Sequence, residues 1–413
     1  MKGGPVAIWT RAVLVAGLVL LAAGCGTASR GTVTSGPAPH GKATSARAAA
    51  PATDLAHTSL LATSWLSDSR GWALATQRCA AGTCTRLART TDAGRHWRVL
   101  PDPMAGIKVP AAECSAQPCV TQISFASPAV GYLYGSALLL ITTDGGLTWH
   151  VQHGPQTEAL TIAGGRVYRV TYTSTGCPGP CQPSLKVASP GSAKWRTLIG
   201  RLAEPGRSDS AEIVASGPDL MVAMYGSLAG PIPAQAVTYR STDGGATWHQ
   251  AADPCSGLGP GGPQQEEDLI GLTAAPGGFF AGLCAPHNIT STFVITSPDA
   301  GATWRRTGAL PPNDQLGIVA SASPATIAVA SGMTGGNGRY TARLLVTTDG
   351  GKHWFTAATD TQRLTTNALD PATGSAPAWL GFESRLTGHW LADPHGIWTT
   401  TDGGRHWTRT AFP

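Results

Sequence analysis

Six aspartates in this 413-residue chain share one setting. Asp92, Asp144, Asp243, Asp299, Asp349 and Asp402 each stand two residues after a Thr or Ser, are followed by Ala-Gly or Gly-Gly, and precede a tryptophan by five positions. The tryptophans are Trp97, Trp149, Trp248, Trp304, Trp354 and Trp407. A carboxylate in such a string has three chemistries open to it: cation ligand, general acid, or acceptor for the amides of a tight turn. The glycines favour the third, because Gly takes the positive φ that lets a short side chain reach back across the turn. The Trp then buries roughly 150–250 Å² against a sheet. These residues therefore read as turn and core structure. His96, His353 and His406 occupy one equivalent place before the Trp in three copies, which marks them as repeat residues and not as a metal cluster. No metal or other cofactor is expected.

Other candidate groups are scattered. The triplet Glu266-Glu267-Asp268 follows a Gly/Pro-rich stretch and has the makings of a cation site or a paired-carboxylate hydrolase site, although a solvated loop is the simpler reading. Tyr168, Tyr172 and Tyr225 with Glu204 and Glu212 could supply a Tyr–Glu nucleophile pair. No phosphate loop, nucleotide fingerprint or ordered Ser/His/Asp motif stands out, so no catalytic residue is assigned.

The elements that position these groups follow from the spacing of the aspartates, whose steps are 52, 99, 56, 50 and 53 residues. The step of 99 is two periods with one unit worn: Ser184 to Trp195 keeps a strand-like run and the Trp but has Pro190 in place of Asp. A strand-like run precedes each copy, hairpin-like segments lie further upstream, and each Trp opens a further strand. Seven units of about 50 residues with four strands each predict an all-β, seven-bladed β-propeller of antiparallel blades joined by Asp-centred turns, filling residues 55–413. The ends show no obvious strand exchanged to close the ring.

On these motifs the chain resembles the Asp-box or BNR-repeat propellers, a group that includes sialidases, sortilin-like receptors, xyloglucan hydrolases and photosystem II assembly factors. The resemblance implies the propeller fold and places the boxes at the blade periphery, away from an active face. It is greatest to the photosystem II assembly factor-like propellers, which carry a box in most blades and imply a scaffold or binding role. The sialidase members imply an alternative, glycoside hydrolysis. An arginine ahead of Ile-Pro, the mark of that chemistry, is missing here; Gly230-Pro231-Ile232-Pro233 is the nearest string.

The N-terminus bears on the compartment. Lys2 and Arg11 flank an apolar run from Ala12 to Ala23 that is too short to span a bilayer as a helix, and Ala22-Ala23-Gly24 directly precede Cys25. Residues 1–24 are thus expected to be a lipoprotein signal peptide, with Cys25 the lipidated first residue. Residues 25–54, small and polar, are expected to form a flexible tether. An acyl anchor would hold the protein on the outer face of the cell membrane. The remaining eight cysteines fall in close pairs, giving expected disulfides Cys79–Cys84, Cys114–Cys119, Cys177–Cys181 and Cys255–Cys284. The formal charge of +5 falls to about +3 without Lys2 and Arg11, and no basic block suggests nucleic acid. The whole reads as a monomeric, membrane-anchored binding protein whose protein or glycan ligand meets propeller loops, with long inserts at 101–122, 201–235 and 253–268 as the partner surface.

Overall fold

The computed structural model describes residues 55, 57–79, 82–105, 120–135, 138–172, 182–203, 208–226, 236–259, 267–286, 292–311, 315–335, 339–363 and 379–413. Alternating apolar runs punctuated by Gly form 28 strands in seven four-stranded antiparallel sheets, each made of four consecutive strands. Blade 1 is β1 (Thr58–Trp65), β2 (Gly71–Cys79), β3 (Gly82–Thr90) and β4 (Arg98–Val99). Blade 2 is β5 (Gln122–Phe125), β6 (Gly131–Tyr134), β7 (Leu139–Thr142) and β8 (His150–Gln152). Blade 3 comprises β9 (Gln156–Ala163), β10 (Arg166–Tyr172), β11 (Ser184–Ala188) and β12 (Arg196–Ile199). Blade 4 comprises β13 (Ser208–Ser216), β14 (Asp219–Gly226), β15 (Val237–Ser241) and β16 (His249–Ala251). Blade 5 has β17 (Glu267–Ala275), β18 (Phe279–Pro286), β19 (Phe293–Ser297) and β20 (Arg305–Ala309). Blade 6 has β21 (Gln315–Ser321), β22 (Ile327–Gly335), β23 (Arg339–Thr347) and β24 (Phe355–Arg363). Blade 7 ends the chain with β25 (Trp379–Phe382), β26 (Gly388–Asp393), β27 (Gly396–Thr400) and β28 (Thr408–Ala411).

Seven apolar clusters fill the seven spaces between neighbouring blades, so each sheet buries both faces. The ring closes without an exchanged strand. Leu60 and Ala73 of blade 1 pack with Leu391, Ile397 and Phe412 of blade 7. The Leu60 amide donates to the Pro394 carbonyl at 2.8 Å, and Trp65 stacks on His389 with ring centroids 3.7 Å apart.

The box turn locks each blade internally and to its predecessor. Thr142 Oγ1 donates to Asp144 Oδ1 at 2.8 Å and accepts the Gly146 amide at 3.0 Å. Asp144 Oδ1 accepts the amides of Leu147 and Thr148, and Oδ2 the Thr148 hydroxyl. In blades 1, 6 and 7 a histidine replaces that threonine: Nδ1 of His96, His353 and His406 lies 2.6 Å from Oδ2 of Asp92, Asp349 and Asp402. Each ring is thus tied to its own box. The box Trp stands just ahead of the fourth strand; Trp407 is buried and the other six are half-buried. Across the blade boundary, Trp72 Nε1 donates to the Gly145 carbonyl at 3.3 Å and the Tyr168 hydroxyl to the Gly244 carbonyl at 2.7 Å. The worn turn of blade 3 keeps this lock: the Gly191 amide donates to Tyr132 Oη at 2.7 Å.

Two boxes carry Ala where the others have Gly, and Ala93 and Ala300 are held at φ 62° and 58°. The left-handed conformation costs a non-glycine residue roughly 1–2 kcal/mol, offset in a Gly variant by about 0.4–1 kcal/mol of unfolded-chain entropy. Ala300→Gly is therefore expected to stabilise by about 0.5–1 kcal/mol, read as a higher denaturant midpoint; a lower midpoint would contradict the account.

Candidate functional site

The two ends of the propeller differ. All seven connections from third to fourth strand contain seven residues, and those from first to second contain two to five. Both kinds emerge at the same end of each antiparallel sheet. At the opposite end the connections vary widely, from two residues (80–81, 394–395) to 22 (100–121), with 15 at 252–266 and at 364–378. Of the expected inserts, 201–235 needs correcting: it contains β13 and β14, so only its flanks, 200–207 and 227–236, are connections. The long connections 173–183 and 364–378 escaped the sequence reading because repeat spacing averages over a blade.

Disulfides sit at this variable end. Cys79 and Cys84 join across the β2–β3 turn, and Cys255 joins Cys284 at the end of β18. Cys114, Cys119, Cys177 and Cys181 lie outside the described residues, as do Cys25, Glu204 and Glu266. The expectation of a solvated acidic loop is corrected by the structure. Glu267 and Asp268 open β17, the innermost strand of blade 5, and are buried. Their alternation into the sheet, not their charge, sets their environment.

Beside them, at the same end of blades 4 and 5, lies a third acid, the half-buried Asp253. Asp253 accepts the Cys255 amide at 2.9 Å through Oδ1 and the Ala236 amide at 3.0 Å through Oδ2. Burial pushes its carboxyl up to about 6 against those two bonds, and the charges of Asp268 and Glu267 add to the rise. Burial also raises Glu267, opposed by the Gly259 amide and the charge of Arg306. Gly259 lies so close that any side chain there would overlap the Glu267 carboxylate.

Of the scattered tyrosines and glutamates, Tyr225 and Glu212 meet. Tyr225 Oη donates to Glu212 Oε2 at 2.6 Å, and the same oxygen accepts the Leu272 amide of blade 5 at 2.8 Å. Burial pushes Tyr225 well above its usual range, with the neighbouring Glu212 adding to it, and burial raises Glu212 as well. Through these bonds the Tyr225 phenol and the Glu212 carboxylate tie blade 4 to the Leu272 amide of blade 5, so the pair braces the two blades. Tyr168 caps the box of blade 4, and Tyr172 belongs to the core between blades 3 and 4. Among the described residues no three His, Cys, Asp or Glu side chains gather as metal ligands, and no helix is long and apolar enough to cross a membrane.

The raised acid Asp253 and the box aspartates impose opposite pH trends. The His96 amide and ring hold Asp92 at about 2, and the Thr303 amide, outweighing burial, holds Asp299 at about 2. Such carboxylates favour the folded state above their unfolded pKa near 3.8, and that contribution is lost as pH falls towards 2. Asp253, raised to about 6, opposes folding while ionised, and the penalty is relieved as pH falls through 6. The melting temperature is therefore expected to peak at about pH 4–5 and to fall steeply by pH 2. A thermal melt series from pH 8 to 2 checks this; a monotonic decline from neutral pH would contradict the raised acids.

The BNR/Asp-box repeat profile matches residues 239–250, the box of blade 4. No curated protein is a detectable sequence relative. Among solved structures, the chain is similar to a prolyl endopeptidase at 15% identity and a TM-score of 0.53, over 86% of this chain and 50% of that one. It is similar to an ulvan lyase of a polysaccharide lyase family at 8% identity and a TM-score of 0.51, over 84% and 92%. A structure described as YCF48 bound to D1 peptide matches at 15% identity and a TM-score of 0.41, over 70% and 79%. At these identities the likeness concerns the fold alone. With six intact boxes, a seventh worn one and seven four-stranded blades, the chain is a β-propeller built from BNR/Asp-box repeats.

Proposed function

We propose that this protein is an extracytoplasmic binding or scaffold protein, held to the membrane by a lipid on Cys25, that engages a protein or glycan through the variable end of its propeller. The observation that carries the reading is the contrast between the ends: connections of two to seven residues at one, including seven of identical length, and of two to 22 residues at the other. Uniform turns satisfy the needs of folding, whereas divergent connections on a rigid ring are the usual place for recognition.

Photo-reactive residues test the face used. Placed at the exposed Ser256 or His395 of the variable end, they are expected to capture one partner in intact cells. Placed at the exposed Ala246 or Thr303 of the box end, they are expected to capture none. Capture from the box end alone would overturn the assignment. For the anchor, Cys25→Ser is expected to move the protein from the membrane to the soluble fraction; unchanged attachment would remove the lipid from the proposal.

A further inference from the structure

Blade 3 departs from the repeat a second time, in its core. The residue of β10 two places beyond the partner of the box-strand end is Arg169. The equivalent residues in the other six blades are Ala73, Leu133, Val222, Gly282, Val329 and Trp390, all buried and none charged. Arg169 is itself only 3% exposed. Its guanidinium lies 4.1 Å over the ring of Trp195, and Nη1 donates to Thr157 Oγ1 at 3.2 Å. Its Nε is buried with no acceptor, as is Nε1 of Trp195.

Among the described residues no carboxylate pairs with this charge. Burial alone accounts for the fall of Arg169 to about 10. The side chain directly across the ladder, on the same face, is a second cation, the half-buried Lys186. Burial and the charge of Arg169 both lower Lys186. Asp144 of blade 2 spends its oxygens on its own box, and Glu158 bonds Gln156 at 3.5 Å. A buried ion without a counter-ion is costly, and structures rarely retain one. Two adjacent cations make the deficit larger.

We propose that the space between blades 2 and 3 at Arg169 and Lys186 is an anion site that takes a small oxyanion, either free or as the terminal group of a larger ligand. The planar guanidinium, with Nε free, suits the paired oxygens of a carboxylate, phosphate or sulfate. Lys186, on the half-buried side, gives the approach from solvent and a second donor. The Trp195 ring backs the guanidinium and fixes its plane. The site is independent of the variable end and of the binding function proposed for it.

The test uses the whole exported chain, purified in a buffer whose only anion is a bulky sulfonate. Sodium phosphate, sulfate and formate are then titrated at constant ionic strength while the melting temperature is followed. Ligand that binds only the folded state raises the melting temperature in proportion to the logarithm of its concentration above Kd. The wild type is expected to show this rise with at least one of the three anions. Arg169→Met is expected to abolish it and, in the anion-free buffer, to melt at or above the wild-type temperature, since an apolar residue fits the position in other blades. Lys186→Met, at the rim, is expected to weaken the anion at least tenfold, and it decides the matter if Arg169→Met fails to fold. A flat wild-type response, meaning that only water neutralises the site, would overturn the proposal. So would an identical anion response in Arg169→Met or, should that variant not fold, in Lys186→Met. A rise with free anions that a carboxylate-terminated or phosphorylated polymer fails to reproduce assigns the site to free ions; the reverse assigns it to a ligand terminus.

Discussion

Replacing Cys255 and Cys284 together by Ala is expected to lower stability by about 3–4 kcal/mol. The two sulfurs close a sequence separation of 29 residues, and the entropy removed from the unfolded chain grows with the logarithm of loop size. Both cysteines are fully buried in the cluster between blades 4 and 5, so the lost sulfurs also leave a small void against Leu269 and Phe280. The Cys79–Cys84 bridge, with a separation of five, supplies the internal comparison and is expected to contribute about 2 kcal/mol. Urea unfolding of both double variants checks the order. The larger loop also carries a local consequence: the Cys255 amide is one of two bonds that restrain the rise of Asp253, so a variant that loses this bond should show a stronger pH dependence between 7 and 5. An equal loss in the two variants would show that loop closure does not govern their contribution.

The same contrast between repeat and exception explains what the sequence disclosed. The Asp-Gly turn and its Trp state the backbone requirement in the residues themselves, since Gly145 and Gly146 adopt φ of 79° and 95° that few other residues accept. Seven copies of one local rule were therefore legible as a ring. Closure of the ring was not, because it rests on Leu60, Leu391 and Phe412, ordinary apolar residues whose meeting depends on the whole circle. Glu267 and Asp268 misled for a related reason: polar residues behind a Gly-rich stretch look solvated, and only the β17 register turns them inward. Arg169 likewise looks like any surface arginine until the seven blades are laid in register.

Tyr225 and Glu212 lie 13 positions apart in chain order, and only pairing of β13 with β14 and contact with blade 5 reveal their bond. Glu212→Ala is expected to cost about 3–5 kcal/mol, because it leaves the Tyr225 hydroxyl and the Leu272 amide buried without an acceptor. Each orphaned donor carries a penalty of about 1–3 kcal/mol, and the shortened side chain adds a void between blades. Glu212→Gln retains an acceptor oxygen of the same shape and should cost markedly less, about 1–2 kcal/mol. Tyr225→Phe removes one donor with its partner's need, so the Glu212→Ala and Tyr225→Phe double variant should lose less than the sum of the singles, the sign of a direct coupling. The cycle also separates a brace from a nucleophile. A brace predicts that stability falls in all variants and that any activity falls only in step with the folded fraction. Loss of glycoside hydrolysis in Tyr225→Phe at unchanged stability would instead place the phenol in a reaction, and the binding reading would give way to the hydrolase.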